Sequence, residues 1–376
     1  MGCVNSKFAW ILNKDKQERE LNKTIDINIP PFELHDEGKK FDLIDTPGSN
    51  NYMKNMMTGI ALASAAILFW RMDYDEYLSD DVMCLDDHLT LLNAKGISQV
   101  IVAFTQMDHV NYSYEQYQCF RSLVLARLKR FRFKERNIQC IPISGLYGDN
   151  LTERSANMPW YRSVTLLDAM KGLHLPDETK GYPLRVVVKD VYDKGGFGTV
   201  AVGSVVSGIM KPGMVVKFAP TGVEGEVKSI KKFGYELPFA KPTELIEFNV
   251  PDVSVSDIHR GHVASDAHFS PAFAVESFVA KVMIAKTPGV KPIFNGYTPV
   301  IDCGTAHVAC KFKHILNTID RHTGRPRADP GFVRGGDICT VKMEPIKPMC
   351  VEPYEICPMS SLGRITIRDN NQVIGF

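Results

Sequence analysis

With 376 residues, 44% of them hydrophobic and 23% charged, the chain has the make-up of a packed globular protein of two or three domains, which disfavours a disordered or membrane-spanning reading. Lys plus Arg at 44 against Asp plus Glu at 43 leave a net charge of +1, so no global field draws it to nucleic acid and any RNA surface must be local. Nine cysteines, scattered without C-x-x-C pairs or metal-ligand spacing and following no secretory signal, suit reduced thiols in the cytoplasm.

In chain order, "MGCVNSK" fits the N-myristoylation pattern, with Gly2 as acceptor, Ser6 in the favoured place and Cys3 open to a second acyl chain. "KFAWILNKDKQEREL" sets Phe8, Ile11 and Leu12 on one face of an amphipathic helix. The runs "KKFDLIDT", "AAILFW", "SQVIVAFTQMD" and "IQCIPISG" are short, rich in Ile and Val and closed by polar or turn residues, as strands are. Helix-period stretches, "DDHLTLLNAKG" and "YEQYQCFRSLVLARLKRF", separate them. Strands alternating with helices predict a parallel α/β sheet whose binding edge lies at the strands' carboxyl ends, where Asp45, Asp108 and Ser144 fall. "GIALASAAILFW" is too short to cross a bilayer and reads as buried helix and strand.

From Leu184 onward the helical period fades. "LRVVVKDVYDKGGFGTVAVGSVVSGIMKPGMVVKFAP" alternates strand and glycine turn, and "FVAKVMIAKTPGV", "YTPVIDCGTAHVACKF", "CTVKMEPIKPMCVEPY" and "LGRITIRDN" continue it. Short strands with frequent turns predict two antiparallel β-barrels parted near Ser270-Pro271. The expected domains are therefore residues 1–180, 181–270 and 271–376. "GGFGTVAVG" has the composition of a phosphate loop but neither its lysine nor a following helix, so a barrel turn is expected. The basic run from Arg121 to Arg136 reads as a solvated helix face, with RNA contact the lesser alternative, and His262, His268, His307 and His314 are too scattered for a metal site.

"IDTPGSNNYMKNMMTG" at residues 44–59, "TIDINI", "IPISGLYGDNL", "SANMPWY", "KPGMVVKFAP", "DCGTAHVACKF", "KPMCVE" and "LGRITIRD" together resemble the eukaryotic translation elongation factor 1-alpha family over nearly the whole chain. That resemblance implies a GTPase domain followed by two barrels, GTP and Mg²⁺ as cofactors, and aminoacyl-tRNA and the ribosome as partners of a monomer without stable membrane association. A nucleotide exchange factor and actin are further partners that it implies. By the same resemblance, Thr24 and Asp45 would hold Mg²⁺ and Gly48 would offer its amide to the γ-phosphate. Thr105, Gln106 and Asp108 stand at the guanine-recognition motif, with Ser144 and Gly145 completing the nucleotide-binding set. Arg321, Arg325 and Arg327 in "DRHTGRPRADPGF" suit RNA phosphates. Met1-Gly2 matches an internal Met-Gly of the family, so acylation of Gly2 is not expected.

The departures fall on the nucleotide chemistry. The family's G-x-x-x-x-G-K-[ST], whose amides and lysine cradle phosphates, does not occur in the sequence. The guanine motif N-K-x-D reads "TQMD", the water-orienting histidine is Ser49, and "GSVVSG" replaces an Arg and Glu near the aminoacylated end. Losing one water-orienting group costs on the order of 10² to 10³ in rate, and losing the phosphate cradle removes affinity as well, so no catalytic residue is assigned and impaired GTP binding and hydrolysis are expected. Two readings stay open: an elongation-factor GTPase whose amino end lies upstream of Met1, or a nucleotide-independent paralogue that binds tRNA, ribosome or actin. Without the strand that carries the phosphate-cradle motif, the GTPase-type sheet of residues 1–180 is expected to be incomplete, and these residues to unfold before 181–376.

Overall fold

The computed structural model describes residues 15–21, 23–30, 41–72, 79–174, 181–285, 291–319, 325–356, 361–370 and 372–376. The Gly2 motif, Phe8, Ile11 and Leu12 lie outside them. Two compact units emerge: residues 15–30, 42–62 and 181–376 form one, and residues 63–174 the core of the other.

The smaller unit is built on a parallel sheet. Strands β1 (Ala66–Arg71), β2 (Val100–Thr105) and β3 (Ile138–Pro142) pair in the order β1-β2-β3, with Ala66 opposite Val100 and Val100 opposite Ile138. Central β2 is apolar and buried along nearly its whole length, as a strand covered on both faces must be. Between the strands run two helices, Ser79–Ala94 and Tyr114–Arg130. In the second, the Ser113 hydroxyl accepts the N–H of Gln116, while Tyr117, Val124 and Leu128 turn inward at helical spacing. Its basic face is partly paired, Arg127 Nη1 reaching Asp86 Oδ2 at 2.9 Å and Arg130 Nη1 the same oxygen at 3.6 Å.

In the larger unit the first barrel comprises β4 (Arg185–Lys194), β5 (Gly198–Ser207), β6 (Val215–Ala219), β7 (Glu224–Glu226), β8 (Ser229–Lys232), β9 (Tyr235–Glu236), β10 (Leu245–Asn249) and β11 (Val263–Asp266). Their order is β7-β6-β11-β4-β5-β10-β8-β9. Consecutive β7 and β8 bind opposite ends of that order, Val227 N–H reaching Met214 O and Lys228 N–H reaching Asn249 O. That bend closes the sheet on a core of Val186, Phe218, Ile230 and Phe248. "GGF" forms the β4–β5 turn, as expected, with Gly198 at φ +75° against Pro251.

The second barrel follows with β12 (Phe278–Met283), β13 (Ile293–Phe294), β14 (Val300–Cys303), β15 (Ala306–Ile319), β16 (Pro326–Ala328), β17 (Phe332–Val333), β18 (Ile338–Pro345), β19 (Ile365–Asp369) and β20 (Gln372–Gly375). The main order is β12-β18-β15-β14-β19-β20, with β16 beside β15. Backbone bonds between Met283 and Phe376 join its two ends.

One expected strand is missing from the parallel sheet. Residues 41–46 make no ladder there, and Asp45 instead forms an isolated antiparallel bridge with Asn28. The reason is apolar packing: Ile44 lies against the second barrel's core, and Leu62 at the end of the helix Met53–Leu62 is part of that core.

Candidate functional site

Thr24 and Asp45 meet in the larger unit. The Asn28–Asp45 bridge, with N···O distances of 3.0 and 2.8 Å, brings the two segments side by side. The Thr24 hydroxyl then donates to Asp45 Oδ2 at 3.2 Å. Burial pushes the Asp45 carboxyl above the usual carboxylate range, the Thr24 bond opposes this, and the Glu18 charge adds to it. Buried Glu18 also accepts the N–H groups of Ile25 and Asp26 at 2.7 and 3.0 Å, fixing the turn after Thr24. A hydroxyl and a desolvated carboxylate are the oxygen donors that Mg²⁺ takes, so this pair fits the cation that the family implies. Gly48 follows with open space on its Cα, so its backbone can be approached closely.

Ser49 is a cap. It starts a short 3-10 turn over Asn50–Tyr52, and its hydroxyl accepts the N–H of Asn51 at 3.4 Å. A hydroxyl held at the backbone does not reach outward as an imidazole would.

Thr105, Gln106, Asp108, Ser144 and Gly145 belong to the smaller unit. Thr105 ends β2, and Gln106 follows in the left-handed region at φ 64°. Its Oε1 accepts from Arg71 Nε at 3.1 Å, at the end of neighbouring β1. Met107 is wholly buried, with its N–H on the Ile143 carbonyl at 3.2 Å, which anchors the turn beneath Asp108. The Asp108 carboxylate lies 3.6 Å from His109 Nε2. Ser144 is buried and bridged to Asp149, its hydroxyl accepting from Tyr147 N–H at 3.4 Å, whereas Gly145 is exposed with free space around it. Asp149 is itself held by Tyr112, Ser155 and Asn157. Asp108 offers the acceptor that guanine N1–H and N2–H require, so one element of base recognition fits; a Gln106 engaged by Arg71 does not reproduce the lysine.

Arg325 and Arg327 are exposed beside and on β16, with Arg327 opposite Thr318 of β15. Arg321 lies outside the described residues. Sequence reasoning overlooked Glu18, Asn28 and Arg71, because nothing local in the sequence shows which distant residues will face the site. His307, set aside as scattered, joins Asp302, Arg368 and Thr58 in the larger unit.

Three family models match the chain. Residues 4–176 match the Elongation factor Tu GTP binding domain, 198–265 match Elongation factor Tu domain 2, and 277–376 match the GTP-eEF1A C-terminal domain-like model. Elongation factor 1-alpha of Entamoeba histolytica is 41% identical over 379 residues, spanning 100% of this chain and 84% of that protein. The chain belongs to the elongation factor 1-alpha family. Elongation factor 1-alpha of Tetrahymena pyriformis agrees, at 42% identity over 99% of this chain and 86% of its own length. The translational GTPase fold is shared with more distant structures. The S. cerevisiae Ski7 GTPase-like domain, bound to GTP, superposes with a TM-score of 0.73 at 16% identity, over 98% of this chain and 88% of that one. A bacterial selenocysteine-specific elongation factor, EF-Sec, gives 0.71 at 19%, over 97% of this chain and 53% of its own.

Proposed function

We propose that this chain carries aminoacyl-tRNA to the ribosome in the cytoplasm, as a monomer, with guanine-nucleotide binding and hydrolysis weakened relative to its relatives. The observation that carries the reading is kinship along the entire chain with proteins named Elongation factor 1-alpha. By the family's pattern, Thr24 and Asp45 would hold Mg²⁺ and Gly48 would offer its N–H to phosphate, while Asp108, in the smaller unit, would accept from guanine. GTP, when bound, would supply a hydrolysable phosphoanhydride. Arg325 and Arg327 give phosphate-binding charge on the second barrel, with Arg321 of the same loop proposed beside them.

Weakening follows from side chains present in the sequence. Ser49 has no ring nitrogen to orient water, and its hydroxyl is occupied at Asn51. Thr105 and Gln106 replace an amide and a cation, and Gln106 is turned to Arg71. These observations also favour a second reading, in which tRNA, the ribosome or actin is bound without nucleotide. Titrating fluorescent aminoacyl-tRNA with the purified chain, with and without GTP, separates them. A preference for aminoacylated over deacylated tRNA that GTP strengthens supports delivery. Equal affinity with and without GTP supports the second reading, and no tRNA binding contradicts delivery.

A further inference from the structure

The segment that carries Asp45 is tied to the second barrel through a chain of polar side chains. Asp302 on β14 is fully buried, and its carboxylate takes Arg368 Nε at 3.3 Å and Nη2 at 3.4 Å from β19. The same carboxylate meets His307 Nδ1. Burial pushes the Asp302 carboxyl up, and His307 and Arg368 outweigh it, so it lies below the usual carboxylate range. An ionised carboxylate only accepts, so His307 Nδ1 carries a hydrogen and its Nε2 points away from Asp302. That Nε2 lies 3.0 Å from Thr58 Oγ1, on the helix that follows Asp45-Thr-Pro-Gly.

Thr58 is wholly buried, and its hydroxyl also reaches the Lys54 carbonyl at 3.1 Å. A hydroxyl rotates. It can donate to a neutral Nε2, or donate to Lys54 O while accepting from Nε2–H. Hydroxyl, imidazole and carboxylate in line have the arrangement of a nucleophile with its base and orienter, but Thr58 has no exposed surface for a substrate. Its role is therefore mechanical.

We infer that His307 is a positioning residue for the Asp45 segment: through Thr58 it fixes the helix Met53–Leu62 to the second barrel, so that the seat of Asp45 and Gly48 is set by that barrel. Two neighbouring observations point the same way. Asp42, just before Asp45, is ion-paired with Lys232 of β8 in the first barrel at 3.0 Å, both side chains nearly buried. Gly59, next to Thr58, lets Thr46 pack where a Cβ would stand, 2.3 Å from Thr46 Cγ2. The Asp45–Gly48 turn is thus held from Asp42 on one side and Thr58 on the other. A partner that shifts β14 or β19 is thereby coupled to Asp45, and the coupling runs equally in reverse. This inference stands whether or not the chain binds nucleotide.

Hydrogen exchange on the full chain tests it. Thr58→Val keeps the side-chain volume and leaves His307, Asp302 and Arg368 in place while removing the hydroxyl. Amide protection over residues 53–62 is expected to fall about tenfold, the scale of one buried hydrogen bond lost, with β14, β15 and β19 unchanged. Thr58→Ser should retain protection within about twofold. His307→Gln should lower it too, and the double variant should fall no further than the larger single effect, because both remove one link. Unchanged protection in Thr58→Val, failure of Thr58→Ser to retain it, additive losses, or loosening of β14 and β19 to the same extent as residues 53–62 would each overturn the assignment.

Discussion

Arg185 on β4 donates through Nε to Glu352 Oε1 at 2.5 Å, two buried charges 167 residues apart in sequence. Arg185 Nη1 also reaches the Leu184 carbonyl at 2.8 Å. Removing one partner of a buried pair leaves the other uncompensated. Glu352→Ala should therefore destabilise the larger unit by about 3–5 kcal/mol, read as a lowered urea midpoint with an unchanged slope. An effect of a few tenths would mean that water reaches Arg185.

Unfolding should not divide at residue 180. Ile44 and Leu62 pack with the second barrel's core, so residues 42–62 should gain and lose exchange protection with the barrels, while residues 63–174 open as a separate unit. Exchange in rising urea checks this. Simultaneous opening of residues 53–62 with β1 to β3 would place that helix in the wrong unit.

Gly59→Ala should disturb the Asp45 turn, because its new Cβ meets Thr46 Cγ2. Overpacking of this kind costs about 1–3 kcal/mol. Thr46→Ser removes the obstructing methyl, so the double variant should recover most of the loss. Thermal midpoints of the two singles and the double decide it.

Acid should weaken the first barrel through His262. Burial, with the neighbouring His259 charge, lowers the His262 pKa from 6.5 to about 4. Its Nδ1 also accepts the His259 N–H at 3.2 Å, which a protonated nitrogen cannot do. The unfolded chain thus takes up a proton between pH 6.5 and 4 that the folded chain refuses. Stability is full above pH 6.5 and falls toward pH 4, by about 1–2 kcal/mol once partial exposure is allowed for. His262→Asn keeps an acceptor without titrating, and its stability should fall less over that window in urea titrations.

The parallel strands, both barrels and the glycine turn between β4 and β5 were legible in the sequence, because period and turn residues act locally. Asp108 and Ser144 could be picked out as positions just past strand ends for the same reason. The place of Asp45 could not. "KKFDLIDT" reads as a strand in any local window, and only the distant barrel core that receives Ile44 and Leu62 decides otherwise. Ser49 shows a milder gap: the family resemblance implied a serine at a histidine position, but its service as a cap for Asn51 needed coordinates. Likewise, no pattern joins His307 to Thr58, 249 residues away.

Gln106 predicts a specific obstacle to restoring base recognition. Thr105→Asn with Gln106→Lys sets a second cation beside Arg71, which now bonds Gln106, and like charges that close repel. Adding Arg71→Ala should raise guanine-nucleotide affinity about tenfold or more over the double variant, the worth of a charged hydrogen bond regained. Equal affinities would show that Arg71 does not contest the position.

The central claim, an elongation factor 1-alpha relative with a weakened nucleotide site, is tested most directly by titrating the full chain with fluorescent GTP in the presence and absence of Mg²⁺. With Thr105 and Gln106 in place of an amide and a cation and Gln106 held by Arg71, the account predicts no saturable binding in the micromolar range. Saturable, Mg²⁺-dependent binding in that range would contradict it.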